Sequence, residues 1–217
     1  MADRTVITTH VSTVDEWTRA LAESIGSPGG GAGAGVMLAI GASLTSMVAG
    51  YTDASDDPQL KGVLSRARER RSVALQLADD DASASAAFGA AFRLDKGAER
   101  DKAIAEASVE AAQASAALGE YAIDAVDDLV WLAEHGNPAL IADVVVAFGA
   151  LRAAITGART NVSFDLASVT SSGVSFEEVR EQHPQLWDTI TRLNDAIDRI
   201  DSVTTAVDHR AAPTDVA

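Results

Sequence analysis

Apolar residues recur at every third or fourth position along most of the 217-residue chain, and strand-like alternation is almost absent, so the pattern predicts helices. Ser12 or Thr13 can cap a first helix with Asp15 and Glu16 in its opening turn. Trp17, Leu21 and Ile25 lie on one face, and Gly26 is the terminator. After the loop Ser27-Pro28-Gly29-Gly30-Gly31, the stretch Ala32 to Tyr51 carries no charge. It is long enough to span a bilayer, but glycines near its start and Gly41, Ser43, Thr45 and Ser46 keep its hydrophobicity low, and no basic cluster flanks it. It reads as a helix buried on all sides, whose small residues admit close neighbours. A polar break from Asp53 to Pro58 precedes a long helix through Leu64, Leu75 and Leu77 to Phe88 and Phe92, and a second break, Asp95 to Gly97, precedes another from Glu99 to His135. Gly136-Asn137-Pro138 combines a terminator, an N-cap and a proline at the first helical position, and the helix it starts is expected to reach about Thr160. Asn161 to Gly173 reads as a loop with extended character. Phe176 to Val207 reads as a last amphipathic helix with Leu186, Ile190, Leu193, Ile197 and Ile200 on its stripe.

No repeat or linker divides these segments. The expectation is one all-α domain over residues 1–208, an up-and-down bundle of five to six helices with a Gly-rich loop before a buried helix, and a flexible tail over 209–217. With 47% hydrophobic and 23% charged residues the chain can bury a core, which excludes the disordered and collagen-like classes. A net charge of −15 repels phosphate backbones and anionic lipid, so neither nucleic acid nor a membrane surface is an expected partner. The absence of cysteine removes disulfides, thiolate metal sites and thiol nucleophiles. Met1 to His10 contain no apolar targeting core, and the cytoplasm is the expected location. An uncharged helix of small residues is hard to cover within one subunit, which predicts a homodimer.

Two places could carry chemistry. Backbone N–H groups of the glycine loop, unobstructed by Cβ atoms, can receive an anion or a polar ring edge, although glycines also serve a tight helix–helix turn. No Lys-Ser/Thr follows them and no strand precedes them, which disfavours nucleotide phosphates. Asp143 lies among Leu140, Ile141, Val144, Val145, Val146 and Phe148, so its carboxylate is expected in or beside the core. Arg152, nine residues on and about 13.5 Å along the axis, cannot pair with it within this helix. Asp143 is then either an isolated carboxyl of raised pKa able to act as general acid or base, or the partner of an arginine or backbone amide elsewhere. His10, His135, His183 and His209 lack metal-ligand spacing and read as solvated. Asp79, Asp80 and Asp81 read as a solvated face from which one can turn inward beside Ala82 and Ala86. Lys61, Arg66, Arg68, Arg70 and Arg71 pair with acids on neighbouring turns or receive an anionic tail.

Taken in order, Pro28-Gly29-Gly30-Gly31-Ala32, Ser46-Met47-Val48, Asp81-Ala82, Arg93-Leu94, Gly136-Asn137-Pro138, Ala142-Asp143 and Asn161-Val162 resemble the cyclodeaminase domain of the formiminotransferase-cyclodeaminase family and its stand-alone methenyltetrahydrofolate cyclohydrolases, over roughly residues 12 to 200. The resemblance implies an all-helical, dimeric enzyme of folate one-carbon chemistry that hydrolyses N5,N10-methenyltetrahydrofolate or cyclises N5-formiminotetrahydrofolate with loss of ammonia. It implies no cofactor and no metal, the tetrahydrofolate derivative being the substrate. It gives Asp143 the role of general acid/base, and it makes Ser27, Pro28, Gly29, Gly30 and Gly31, with Asp81, Asn137 and Asn161, the substrate-binding set. The chain departs from the family pattern where serines become Ala32 and Ala142, a glycine becomes Val145, a proline is missing near Ser115, and a basic stretch becomes Asp53-Ala54-Ser55-Asp56-Asp57. These departures support an alternative, a diverged member that binds or converts a different small heterocycle in a specialised pathway.

Overall fold

The computed structural model describes residues 7–24, 26–53, 56–170, 173–212 and 214, and among these it forms eight α-helices and one 3₁₀ turn, with no strand. Ile25 of the first apolar face and Ala54-Ser55 of the polar break lie outside the described residues. Helix α1 (Val14–Leu21) starts at a reciprocal cap. The Glu16 N–H donates to Thr13 Oγ1 at 3.2 Å and the Thr13 N–H donates to the Glu16 carboxylate at 2.9 Å. Trp17 is buried under it, with Nε1 donating to Thr9 Oγ1 at 3.1 Å. Helix α2 (Gly30–Gly50) has no side-chain cap, whereas α3 (Pro58–Ala91) has Asp57 accepting from the Gln59 N–H at 2.7 Å and a proline in its first turn.

Three of the expected helix boundaries needed correction. The stretch from 99 to 135 is not one helix but α4 (Ala98–Ile123) and α5 (Val126–His135). At the join the Ala125 N–H donates to the Ala122 carbonyl at 3.0 Å, and Arg70 Nη2 of α3 donates to the Asp124 carbonyl at 3.1 Å. A distant arginine satisfies a carbonyl at the helix end, so the break needs neither glycine nor proline. Residues 161–169 are helical rather than a loop, because α6 (Ile141–Val169) continues past Thr160 with Val162, Leu166 and Val169 buried at helical spacing. The last predicted helix divides into α7 (Phe176–Gln182) and α8 (Pro184–Ala211), since Pro184 has no N–H to continue the ladder from α7, and α8 carries His209 to Ala211 as helix rather than tail.

Neighbouring long helices run antiparallel. A Cβ at Gly35 of α2 would fall 2.6 Å from that of Ala78 of α3, whereas Gly31, one turn earlier, lies against Asp81, so α3 descends as α2 rises. Likewise Gly41 of α2 packs on Ala147 and Leu151 of α6, while Gly157 packs on Ala34. Helix α6 is central. Its Phe148, Leu151, Ala154 and Ile155 are fully buried in a cluster with Leu38 of α2, Leu118 of α4, Leu129 of α5 and Leu193 and Ile200 of α8. Helix α2 is not buried on all sides, because Met37 and Ile40 face outward, 42% and 43% exposed. Val146 and Phe164 of α6, eighteen residues or five turns apart, are also exposed on one face. By length and composition α2 and the stretch 138–169 could each cross a membrane, yet here they pack against one another along their buried faces.

The basic residues of α3 pair mainly with a neighbouring helix rather than a neighbouring turn. Asp128 of α5 is 3% exposed and accepts from Arg66 Nε and Nη2 and, at 3.0 Å, from Arg70 Nη1. Arg152, too far from Asp143, forms a two-bond pair with Asp201 of α8 at 2.5 and 2.8 Å.

Candidate functional site

The uncapped start of α2 presents the N–H groups of its first turn at a helix N-terminus. One of them, the Ala32 N–H, hydrogen-bonds the carboxylate of Asp81, which rises from α3 beneath the glycines and is 3% exposed. Ser115 Oγ of α4 donates to Asp81 Oδ1 at 3.0 Å, and Ser85 Oγ lies 3.5 Å from Oδ2. A Cβ at Gly31 would collide with this carboxylate, so the glycine loop and Asp81 are one construction. Burial raises the Asp81 pKa, and the bonds from Ser115, Ser85 and the Ala32 N–H oppose the rise by favouring the anion.

Antiparallel packing brings the far half of α6 to the same end. With Gly157 against Ala34, the next turns of α6 carry Asn161 and then Asp165 towards the start of α2. Asp165 is pushed up to about 7, first by burial and then by the negative charge of Asp81. Pro28 is buried, Gly29 half-buried, and Ser27 and Gly30 exposed at the rim. The glycine loop residues, Asp81 and Asn161 of the expected site therefore gather at one end of the bundle.

Asn137 and Asp143 do not join them. Asn137 sits at the opposite end of α2, where its N–H donates to Thr52 Oγ1 at 3.1 Å, its Nδ2 donates to the Tyr51 carbonyl at 3.1 Å, and its Oδ1 accepts from the Ala139 N–H at 3.0 Å. Those bonds cap the 3₁₀ turn Pro138–Leu140 and tie it to α2. Asp143 lies half-buried in the first turn of α6 rather than within the core. Its surroundings looked apolar all round because Val146, one turn on, belongs to a face that points outward. Eighteen residues of continuous helix separate Asp143 from Asn161, a rise of about 27 Å, so within one chain the two cannot hold one small ligand.

The sequence reading missed Asp165 because it placed that residue in a loop. The signal that could have found it was the 162, 166, 169 apolar spacing, which continues the helix and sets Asp165 one turn beyond Asn161. No cluster of three or more metal-ligating side chains occurs among the described residues.

The family model described as formiminotransferase-cyclodeaminase matches residues 13–183. The chain belongs to the formiminotransferase-cyclodeaminase family. Among curated proteins it is 28% identical over 179 residues to a methenyltetrahydrofolate cyclohydrolase of Methylorubrum extorquens, an alignment spanning 78% of this chain and 86% of that relative. The crystal structure of formiminotetrahydrofolate cyclodeaminase from Thermotoga maritima shares the fold, with a TM-score of 0.74 over 91% of this chain and 98% of that one at 23% identity. The glycine-loop and Gly-Asn-Pro motifs that carried the resemblance both fall inside the matched family segment.

Proposed function

We propose that this member of the formiminotransferase-cyclodeaminase family hydrolyses the one-carbon bridge of N5,N10-methenyltetrahydrofolate to a formyl group, at the end of the bundle where α2 begins. The observation that carries the placement is the buried Asp81 carboxylate under Gly31, held by Ser115 and the Ala32 N–H. The bridge carbon lies between two nitrogens and is attacked by water. The reaction needs a base for the water, donors for the developing oxygen charge and a proton for the departing nitrogen. Asp81 supplies the base, and the N–H groups of Gly30 and Gly31 supply donors at a helix N-terminus. The carboxamide of Asn161, which hydrogen-bonds no described residue, is available to orient the ring. The relative named as a cyclohydrolase supports hydrolysis over ammonia release. This chemistry draws on water and carboxyl groups, and the proposal includes no metal or organic cofactor.

A second reading, a family member acting on another heterocycle, is favoured by Ala32. This residue is fully buried against Trp17 and Ala78 in place of the family serine, so the site lacks one hydroxyl. Ala142, the other lost serine, is exposed at the far end and does not bear on the site. Turnover of methenyltetrahydrofolate, followed by loss of the methenyl absorbance above the uncatalysed background, decides between the readings. The first expects turnover in the wild type and a loss of about 100-fold or more in Asp81→Asn. Absence of wild-type turnover and binding supports the second.

Two coarser proposals accompany this one. The outward apolar face of Met37, Ile40, Val146 and Phe164 is proposed as the homodimer contact, and the net charge of −15 accords with a cytoplasmic protein free of nucleic acid and lipid.

A further inference from the structure

Asp165 is the ionisable group at this end of the bundle that the sequence did not assign. It lies one turn beyond Asn161 on the same side of α6, half-buried, and among the described residues no donor hydrogen-bonds its carboxyl. Its charged surroundings are simple. Helix α2 alongside carries no ionisable residue from Gly30 to Gly50, α3 contributes Asp81, and α4 contributes Ser115 to Asp81. Towards α7 and α8, α6 presents Val162, Leu166 and Val169 to Val179 and Leu186. Glu177 and Arg180 of α7 line a cavity with Ser163 and Leu166, around the helix from Asp165. Among the described residues no cation pairs with either carboxyl, and the two are not equivalent, since Asp81 receives hydrogen bonds from Ser115, Ser85 and the Ala32 N–H. Of two acids that interact and share a proton, the better hydrogen-bonded one holds the charge and the other the proton.

We propose that Asp165 and Asp81 act as a carboxyl pair in which protonated Asp165 is the acid for the departing nitrogen while ionised Asp81 is the base for the attacking water. The proposal rests on the hydrolytic reading above. In the first step the water oxygen bonds to the bridge carbon and one water proton passes to Asp81. In the second the carbon–nitrogen bond breaks, its electron pair takes the proton of Asp165, and the remaining hydroxyl proton returns to Asp165 as the formyl C=O forms. One proton, that on Asp81, leaves to solvent, which balances the conversion of a cationic bridge and water into a neutral formyl amide. Burial and the charge of Asp81 push Asp165 up to about 7, so it holds its proton near neutrality and can release it.

Two measurements on the full chain test this. A carbon-13 carboxyl titration of wild type and Asp81→Asn is expected to show Asp165 titrating near pH 7 in the wild type and lower once the neighbouring charge is gone, with burial keeping it above the ordinary carboxylate range. Titration in the ordinary carboxylate range in the wild type, or no response to Asp81→Asn, overturns the pair. In methenyltetrahydrofolate turnover, Asp165→Asn is expected to lower kcat about 100-fold with KM within a few-fold and to abolish the alkaline limb of the pH profile, while Asp165→Glu keeps that limb. If Asp165→Asn retains both turnover and limb, the acid role falls while the folate reading stands. If the wild type does not turn over this substrate, the acid role falls with the folate reading, and the titration still decides whether the pair exists.

Discussion

A methyl group at position 31 would occupy the space of the Asp81 carboxylate. Gly31→Ala is therefore expected to leave the helices in place, displace Asp81 from Ser115, lower stability by about 1–3 kcal/mol and depress turnover, as read by urea melts and the absorbance assay. The pH response follows from Asp165. Its carboxyl, ordinarily at 3.8, is pushed up to about 7 in the folded chain, first by burial and then by the charge of Asp81. Between those values the folded state holds a proton that the unfolded state has released, so stability falls as pH rises through the window. Urea midpoints measured at pH 4.5 and 7.5 are expected to drop more in wild type than in Asp165→Asn. The inward turn of Asp81 was legible in the sequence. Asp81 follows Ala67, Ala74 and Ala78 on one buried stripe, spacing that separates it from Asp79 and Asp80 of the same acidic run. The depth expected of Asp143 was wrong because local composition cannot say which side of an apolar helix faces out, and Asn137 uses Nδ2 and Oδ1 in tying the 3₁₀ turn to the far end of α2.

At the level of the helices, the capped starts were legible and the internal breaks were not. Thr13 with Glu16, Asp57 with Pro58 and Asn137 with Pro138 are local signals, and each marks a start in the structure. The α4–α5 break depends on Arg70, more than fifty positions away, and no local pattern contains it. That arginine is 5% exposed and leans on Asp128 as its buried counter-charge. Asp128→Asn leaves Arg70 uncompensated and is expected to destabilise the chain by about 3 kcal/mol, seen as a lower urea midpoint with unchanged helical circular dichroism below the transition. The loop expected over 161–169, where the chain is helical, has the opposite cause. Polar and β-branched residues there lowered helix propensity, while burial of Val162, Leu166 and Val169 between α4, α7 and α8 overrode it.

At the scale of the whole molecule, the all-α class and the single bundle followed from periodicity alone, whereas the grouping of site residues depended on helix direction. Antiparallel packing of α2 and α6 separates Asn137 from Asn161. The outward stripe shared by those two helices makes a further prediction. Ile40→Asp with Val146→Asp is expected to convert a sedimenting dimer into a monomer that keeps its helical content, and a wild type that already sediments as a monomer would end the dimer proposal.

That arrangement also sets a timetable for synthesis. Ninety residues lie between Gly50, the end of α2, and Ile141, where its packing partner α6 begins. At roughly 5–20 residues per second, the uncharged α2 segment is synthesised on the order of 5–20 s before the start of α6. Until then α3 covers one side of it, through Ala74 and Ala78 against Gly35. The nascent chain consequently carries an apolar surface whose natural cover arrives late, a surface suited to a chaperone that binds emerging helices.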